Sequence, residues 1–392
     1  MKTSTRCVQL GRGEDVHGAI VPPIYQTATF EQPTASEFGE YDYTRSGNPT
    51  RTLLEQQLAD LEDASYACAF ASGMAALTAL TRIVNAGAEI IAGDDLYGGT
   101  VRLLDRIASN QNISVRYVDT TDADALRKIV TRRTRLILIE TPSNPLFRIS
   151  DIRELSSIAR EAGAYLAVDN SMLSPVFQRP LNCGADVVVH SATKFLCGHS
   201  DVTAGALITS DPALHKQLSF QQNAEGAGLS PFESWLLLRG LKTLALRVER
   251  QNASAEEIAG YLQTRPEISQ VFYPGLTDHP GREIHARQAD GNGAVVSFTT
   301  GNEELSAAIA ESTRLFKVAV SFGSVGSTIS LPYRMSHASI PGRLKDQLAP
   351  PSDLLRLSVG IEDVDDLLAD LERAFSESVE LGWRVPSGQF VS

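Results

Sequence analysis

A single lysine sits just beyond one of the most apolar runs in the chain. Ala185-Asp-Val-Val-Val189 leads directly into His190-Ser-Ala-Thr-Lys-Phe-Leu-Cys-Gly-His-Ser-Asp201. An ammonium at the end of a buried strand is partly desolvated, which lowers its pKa. A lysine so shifted attacks aldehydes and forms a Schiff base. Ser191 and Thr193 flank Lys194 with hydroxyls suited to phosphate oxygens. The plainer alternative is a Lys194 that extends to solvent. The flanking hydroxyls and the strand-end position put the two readings level.

Asp169 closes the run Ala-Tyr-Leu-Ala-Val-Asp, one strand earlier. A carboxylate there must be paired or hydrogen-bonded. Alone it reads as a turn or cap residue. Beside Lys194 it reads as the partner of a protonated ring nitrogen, the arrangement that pyridoxal phosphate requires. Ala71-Ser-Gly-Met-Ala-Ala-Leu77 opens a helix, where Ser72 or Gly73 would expose free amide N–H groups to a phosphate. Tyr97 in Asp-Asp-Leu-Tyr-Gly-Gly-Thr also follows a strand and could stack on a flat ring, or simply pack.

These residues need a frame that brings strand ends together. From Ser65 onward, short apolar runs (88–94, 114–119, 135–141, 164–170, 185–191 and 204–210) alternate with helical stretches such as 99–111, 122–130 and 151–163. Strands apolar on both faces indicate an α/β fold with a mostly parallel sheet covered by helices on each side. Such sheets bind ligands at the carboxyl ends of their strands. Residues 1–47 read as an irregular arm. Asn48-Pro49 caps and starts a helix, opening a large domain over 48–246. One long helical stretch is expected from Pro231 through 235–262. A smaller α+β domain follows over 247–392, with strands expected at 271–275, 293–300, 318–323 and 354–362.

Composition narrows the function classes. The 392 residues hold 35 Lys and Arg against 47 Asp and Glu, a formal charge of −12. With no basic block, nucleic acid and anionic membranes are poor partners. No apolar run is long enough to span a bilayer, and the N-terminal segment has neither a signal-peptide core nor transit-peptide character. Cys7, Cys68, Cys183 and Cys197 lack CxxC spacing. A cytoplasmic protein with reduced thiols and no metal site is expected. GxxxxGK[ST] and a strand-linked GxGxxG are both missing, which weakens kinase and dehydrogenase readings.

The motifs YDYTRSGNPT (41–50), SGM (72–74), DDLYGGT (94–100), ETPSNP (140–145), VDN (168–170), HSATKFLCGHSD (190–201) and LRLSVGIEDVDDL (355–367) occur in that order. Together they resemble the pyridoxal-phosphate-dependent enzymes of cysteine and methionine metabolism, from about residue 17 to the C-terminus. The chain is most similar to the plant-type cystathionine β-lyase branch, on YDYTRSGNPTR, QNAEGAGLSPFESWLLLRGLKT, SFGSV and MSHASIP. Methionine γ-lyases carry a cysteine where this chain has Gly99. The γ-synthases and γ-lyases usually read V-E-S where it has Val325-Gly326-Ser327.

The resemblance implies a fold type I transferase with a seven-stranded sheet. Lys194 becomes the Schiff-base lysine and proton shuttle, with Tyr97 and Tyr43 as further catalytic side chains. Asp169 would hold the ring nitrogen protonated, and Tyr97 would stack on the ring. Gly73, Met74, Ser191 and Thr193 would hold the phosphate, joined by Tyr43 and Arg45 of the partner subunit. That sharing implies a dimer, typically doubled to a homotetramer. Arg356, Ser321 and Asn144 would bind the α-carboxylate of an amino-acid substrate. The implied reaction is β-elimination of L-cystathionine to homocysteine, pyruvate and ammonia, with related activity on cystine-like amino acids. Cystathionine γ-lyase, γ-synthase and O-acylhomoserine sulfhydrylase are the alternatives within the class. A catalytically inactive regulatory protein that binds pyridoxal phosphate and a nicotinamide oxidoreductase are the alternatives outside it.

Overall fold

The computed structural model describes residues 1–9, 17–108 and 110–380. Seven apolar runs form the large sheet: β1 (Tyr66–Phe70), β2 (Glu89–Gly93), β3 (Ser114–Val118), β4 (Thr134–Glu140), β5 (Tyr165–Asp169), β6 (Val187–His190) and β7 (Gly205–Thr209). Their order is β1-β7-β6-β5-β4-β2-β3. β3, β2, β4, β5 and β6 run parallel, while β7 is antiparallel to both β6 and β1. Alternate residues of one strand feed opposite cores. Val188 packs with Leu54, Leu58 and Leu241 on one face, and Val187 and Val189 pack with Leu77, Leu80 and Leu138 on the other. Burial on both faces is what made the runs continuous in sequence.

Parallel pairing brings the last residues of β4, β5 and β6 to one edge. Glu140, Asp169 and His190 therefore stand near one another, and Tyr97 lies four residues past β2. This is the carboxyl edge where an open parallel sheet receives ligands.

A second sheet contains β8 (Gln270–Phe272), β9 (Val295–Thr299), β10 (Lys317–Val318), β11 (Thr328–Ser330) and β12 (Leu355–Ser358), in the order β10-β11-β12-β9-β8. All its pairings are antiparallel except β10 with β11. Leu355 and Leu357 enter a core with Phe298, Phe316 and Phe375. Strand alternation turns Arg356, between them, toward the opposite side.

Several expectations need correction. The arm is not wholly irregular, because Thr3–Val8 is helical and buries Cys7. The long helix is two, Pro231–Leu241 and Leu244–Gln263, broken at Lys242 and Thr243; residue 246 lies near the start of the second. Of the expected 318–323 strand only Val318 pairs, together with Lys317 before it, and Ser321 (φ 83°) and Gly323 (φ 85°) then turn the chain into a loop. Strand Thr328–Ser330 and helix Pro212–Ala224 add to the elements expected. Residues 10–16 of the arm and 381–392 of the C-terminal region lie outside the described residues. No helix among the described residues is long and apolar enough to cross a membrane. Among them, no group of His, Cys, Asp and Glu has metal-binding geometry.

Candidate active site

A cleft of about 480 Å3 lies between the carboxyl edge of the large sheet and the loop before β11. Lys194, Asp169, Tyr97, Gly73, Met74, Ser191, Thr193, Asn144, Ser321 and Arg356 all line it. Tyr43 and Arg45 do not. Arg45 instead donates from Nε to Asn223 Oδ1 at 3.1 Å, and its guanidinium lies 5.4 Å from the Tyr43 ring centroid.

Lys194 follows β6 in a tight turn, in which Lys194 N donates to Ser191 O at 3.0 Å and Gly198 N to Lys194 O at 2.9 Å. Its Nζ donates to Ser321 Oγ at 2.5 Å. Burial, reinforced by the Arg356 charge, brings its pKa down to about 8 against the pull of Asp169 and Glu140. The sequence argument for a depressed lysine therefore has its geometry.

Asp169 ends β5 and accepts from Ser171 N at 2.9 Å. Burial pushes its pKa up, while the Ser171 hydrogen bonds and the charges of His190 and Lys194 pull it back. Glu140 ends β4 directly beside it in register. Its Oε2 accepts from Tyr97 N at 3.1 Å, so a buried carboxyl holds the backbone of the tyrosine loop. Burial and then the neighbouring Asp169 drive Glu140 well above the ordinary carboxylate range. Sequence reasoning missed Glu140, although its strand-end position matched that of Asp169.

Helix Gly73–Thr81 begins at the cleft, with Ser72 capping it by accepting from Ala75 N at 3.0 Å. The amides of Gly73 and Met74 are then first-turn donors with no acceptor inside the helix. A Cβ at Gly73 would stand 3.0 Å from Ser191 Cβ, so the helix start and the Ser191 hydroxyl form one close patch. Thr193 is more committed: its Oγ1 donates to Ala204 O at 3.2 Å and accepts from Ala204 N at 2.9 Å. Tyr97 caps helix Gly98–Leu103 and meets His337 edge to face at 6.4 Å. A Cβ at Gly99 would fall 2.3 Å from Tyr97 Cε1.

Arg356 is buried and held like a fork. Nη1 donates to Asn144 Oδ1 at 2.6 Å and Nη2 to Ser321 O at 3.0 Å, leaving Nε without a partner among the described residues. Burial lowers its pKa to about 10. The ring of Phe322 lies under both cations, 4.9 Å from Lys194 Nζ and 5.2 Å from Arg356 Cζ.

These residues fit a flat, anionic aldehyde cofactor. A nucleophilic lysine, an acid, an aromatic face and an amide-lined helix start converge on one cleft, with an anion-binding fork opposite. The cations lining it among the described residues are Lys194, Arg356 and Arg102, and Arg102 donates to Ser339 Oγ at 2.8 Å. Among the described residues, no cationic side chain is bonded at the Gly73 patch.

Comparison with known proteins points the same way. The family model for "Cys/Met metabolism PLP-dependent enzyme" matches residues 4–376. The chain is 52% identical over 372 residues to the chloroplastic cystathionine beta-lyase of Arabidopsis thaliana, covering 95% of this chain and 80% of that protein. It is 44% identical to the cystathionine gamma-lyase of Bacillus subtilis, covering 95% and 99%. The crystal structure of metB from Corynebacterium glutamicum superposes with a TM-score of 0.94 at 42% identity, over 96% of this chain and 98% of that one.

Proposed function

From the premise that this chain belongs to the Cys/Met-metabolism family of pyridoxal-phosphate-dependent enzymes, we propose that it is a carbon–sulfur lyase cleaving L-cystathionine by β-elimination. The products are homocysteine, pyruvate and ammonia. The observation that carries the reading is the Lys194–Ser321–Arg356 arrangement. Ser321 accepts from Lys194 through its hydroxyl and from Arg356 through its carbonyl. An amino acid anchored by its carboxylate at Arg356 then presents its Cα to the amine of Lys194.

Bound pyridoxal phosphate supplies the electron sink that makes the substrate Cα–H acidic. The rest falls to the chain. Lys194 anchors the cofactor in the resting enzyme. Once released it takes the Cα proton at Nζ, a task suited to an amine whose pKa is about 8. Asp169 would keep a proton on the ring nitrogen. Tyr97 would stack on the ring, with its loop fixed by Glu140. The Gly73 and Met74 amides with Ser191 and Thr193 hold the phosphate. Arg356 grips the carboxylate through two parallel hydrogen bonds, with Asn144 and Ser321 framing it.

Tyr43 and Arg45 of the partner subunit complete the phosphate site, which makes the working unit at least a dimer and, by family habit, a tetramer of two dimers. The 52% identity to a cystathionine beta-lyase supports β over γ chemistry. A site in the cytoplasm and a place in methionine biosynthesis accompany this reading. Incubation with cystathionine decides it: pyruvate with homocysteine is expected, whereas 2-oxobutyrate with cysteine would make it a γ-lyase.

A further inference from the structure

Two buried polar side chains on helix Leu244–Gln263 lie outside the cleft, yet each reaches a loop that lines it. Arg247 is 4% exposed and spends its guanidinium on backbone carbonyls. Nη1 donates to Phe195 O at 2.8 Å, and Nη2 donates to Gly240 O at 2.9 Å and Leu196 O at 3.4 Å. Phe195 and Leu196 are the two residues after Lys194, so the guanidinium closes the carboxyl end of the lysine turn. A Cβ at Gly198 would fall 2.0 Å from Arg247 Nη1, which shows how closely the turn is drawn over it.

Gln251, fully buried, is four residues further along the helix. Its Nε2 donates to Ser324 O and to Val359 O, both at 2.8 Å. Ser324 belongs to the loop that carries Ser321, and Val359 follows β12, which carries Arg356. The two loops also touch directly. Val325 N donates to Gly198 O at 2.9 Å, and a Cβ at Gly323 would fall 2.7 Å from Phe195 N. Residues i and i+4 share one helix face, so one rigid turn holds the lysine on one side and the carboxylate site on the other.

We propose that Arg247 and Gln251 form a strut that sets the distance between the Lys194 amine and the Ser321–Arg356 carboxylate site. Both are positioning residues, acting through backbone carbonyls. The proposal rests on the lyase reading for what that distance serves. Arg247 bears on the proton-moving side and Gln251 on the substrate-anchoring side, so their losses appear in different constants.

The test uses holoenzyme variants. Arg247→Gln is expected to lower kcat about tenfold with KM within about threefold of the parent. Gln251→Met, which keeps volume and removes both donors, is expected to raise KM about tenfold with kcat within about threefold. Arg247→Lys keeps the charge without the fork and should recover part of the kcat. The visible circular dichroism of the holoenzyme should change in Arg247→Gln and stay as in the parent in the control Arg250→Gln. Parental kcat and KM in coloured, folded variants would overturn the strut. So would equal falls in both constants that merely track melting temperature. If Arg247→Gln does not fold, Arg247→Lys carries the decision, and a parental kcat there overturns the proposal. If the parent prefers another sulfur amino acid, the same split is read on that substrate, so a wrong substrate assignment and a failed strut give separate results.

Discussion

Glu140 and Asp169 are register partners at the ends of β4 and β5, a buried and a half-buried carboxyl on one wall of the cleft. Burial raises the pKa of both, but not equally. Asp169 accepts two hydrogen bonds from Ser171 and feels Lys194, which favour its charged form. Glu140 has the Tyr97 amide and the more distant Arg356, and it faces the charge of Asp169. The pair is therefore divided: burial and the neighbouring charge lift Glu140 further than Asp169, so Glu140 is the stronger holder of a proton.

An amide can replace the Glu140 carboxyl as the acceptor for Tyr97 N. Glu140→Gln should keep kcat within about threefold, because glutamine still accepts from Tyr97 N. Glu140→Ala leaves that partly buried amide without its acceptor, a loss of about 1–3 kcal/mol, and kcat should fall about tenfold. Steady-state kinetics on the three proteins checks this, and a Gln variant as impaired as the Ala variant would show that Glu140 works as an anion.

Asp95 gives a pH signature. Burial pushes its pKa up to about 6, although Ser143 and Leu146 donate to it. The native chain therefore keeps this proton to higher pH than the unfolded chain does. Between about pH 4 and 6 the native state binds more protons at this position, so its contribution to stability falls as pH rises. Asp95→Asn accepts the same donors without titrating. Its melting temperature relative to the parent should rise across that window by the equivalent of about 1–3 kcal/mol. A constant difference from pH 4 to 7 would show that Asp95 titrates normally.

Arg356 presents a planar fork that lysine cannot copy. Arg356→Lys should raise KM for the amino-acid substrate by about 10- to 100-fold while the holoenzyme keeps its colour, because two parallel hydrogen bonds become one point charge. Substrate titration of the visible spectrum measures this directly. An unchanged KM would place the carboxylate elsewhere.

Arg45 tests the shared site. Arg45→Ala and Lys194→Ala should each be nearly inactive alone. Coexpressed in equal amounts, half of the dimers are hybrids, and each hybrid has one site with both residues intact. Activity should return to about a quarter of the parent's. No recovery would mean that Arg45 serves its own chain.

Much of the site was legible because chemistry at the end of an apolar strand is conspicuous. Lys194, Asp169 and Tyr97 stand out by that rule, and Arg356 is a lone charge in an apolar strand. Glu140 obeys the same rule but was read only as part of ETPSNP, because its partner is a backbone amide with no sequence signature. Arg247 and Gln251 were not legible at all, because their partners are backbone carbonyls with no sequence signature. The segment 318–323 has the alternation of a strand, but the Phe322 ring packs against Phe195 and turns the loop over the lysine. The break at Lys242 and Thr243 was likewise hidden, because both flanking segments are strongly helical in composition.

The crowding at Gly99 bears on how such a chain can diverge. Any side chain there collides with the ring of Tyr97 before it reaches the cleft. The atoms it meets all belong to the ring, so a substitution at 99 acts by turning the half-exposed Tyr97 ring away from its place over the cleft. The size of the residue at 99 therefore sets how the aromatic face is presented, without touching the cleft itself.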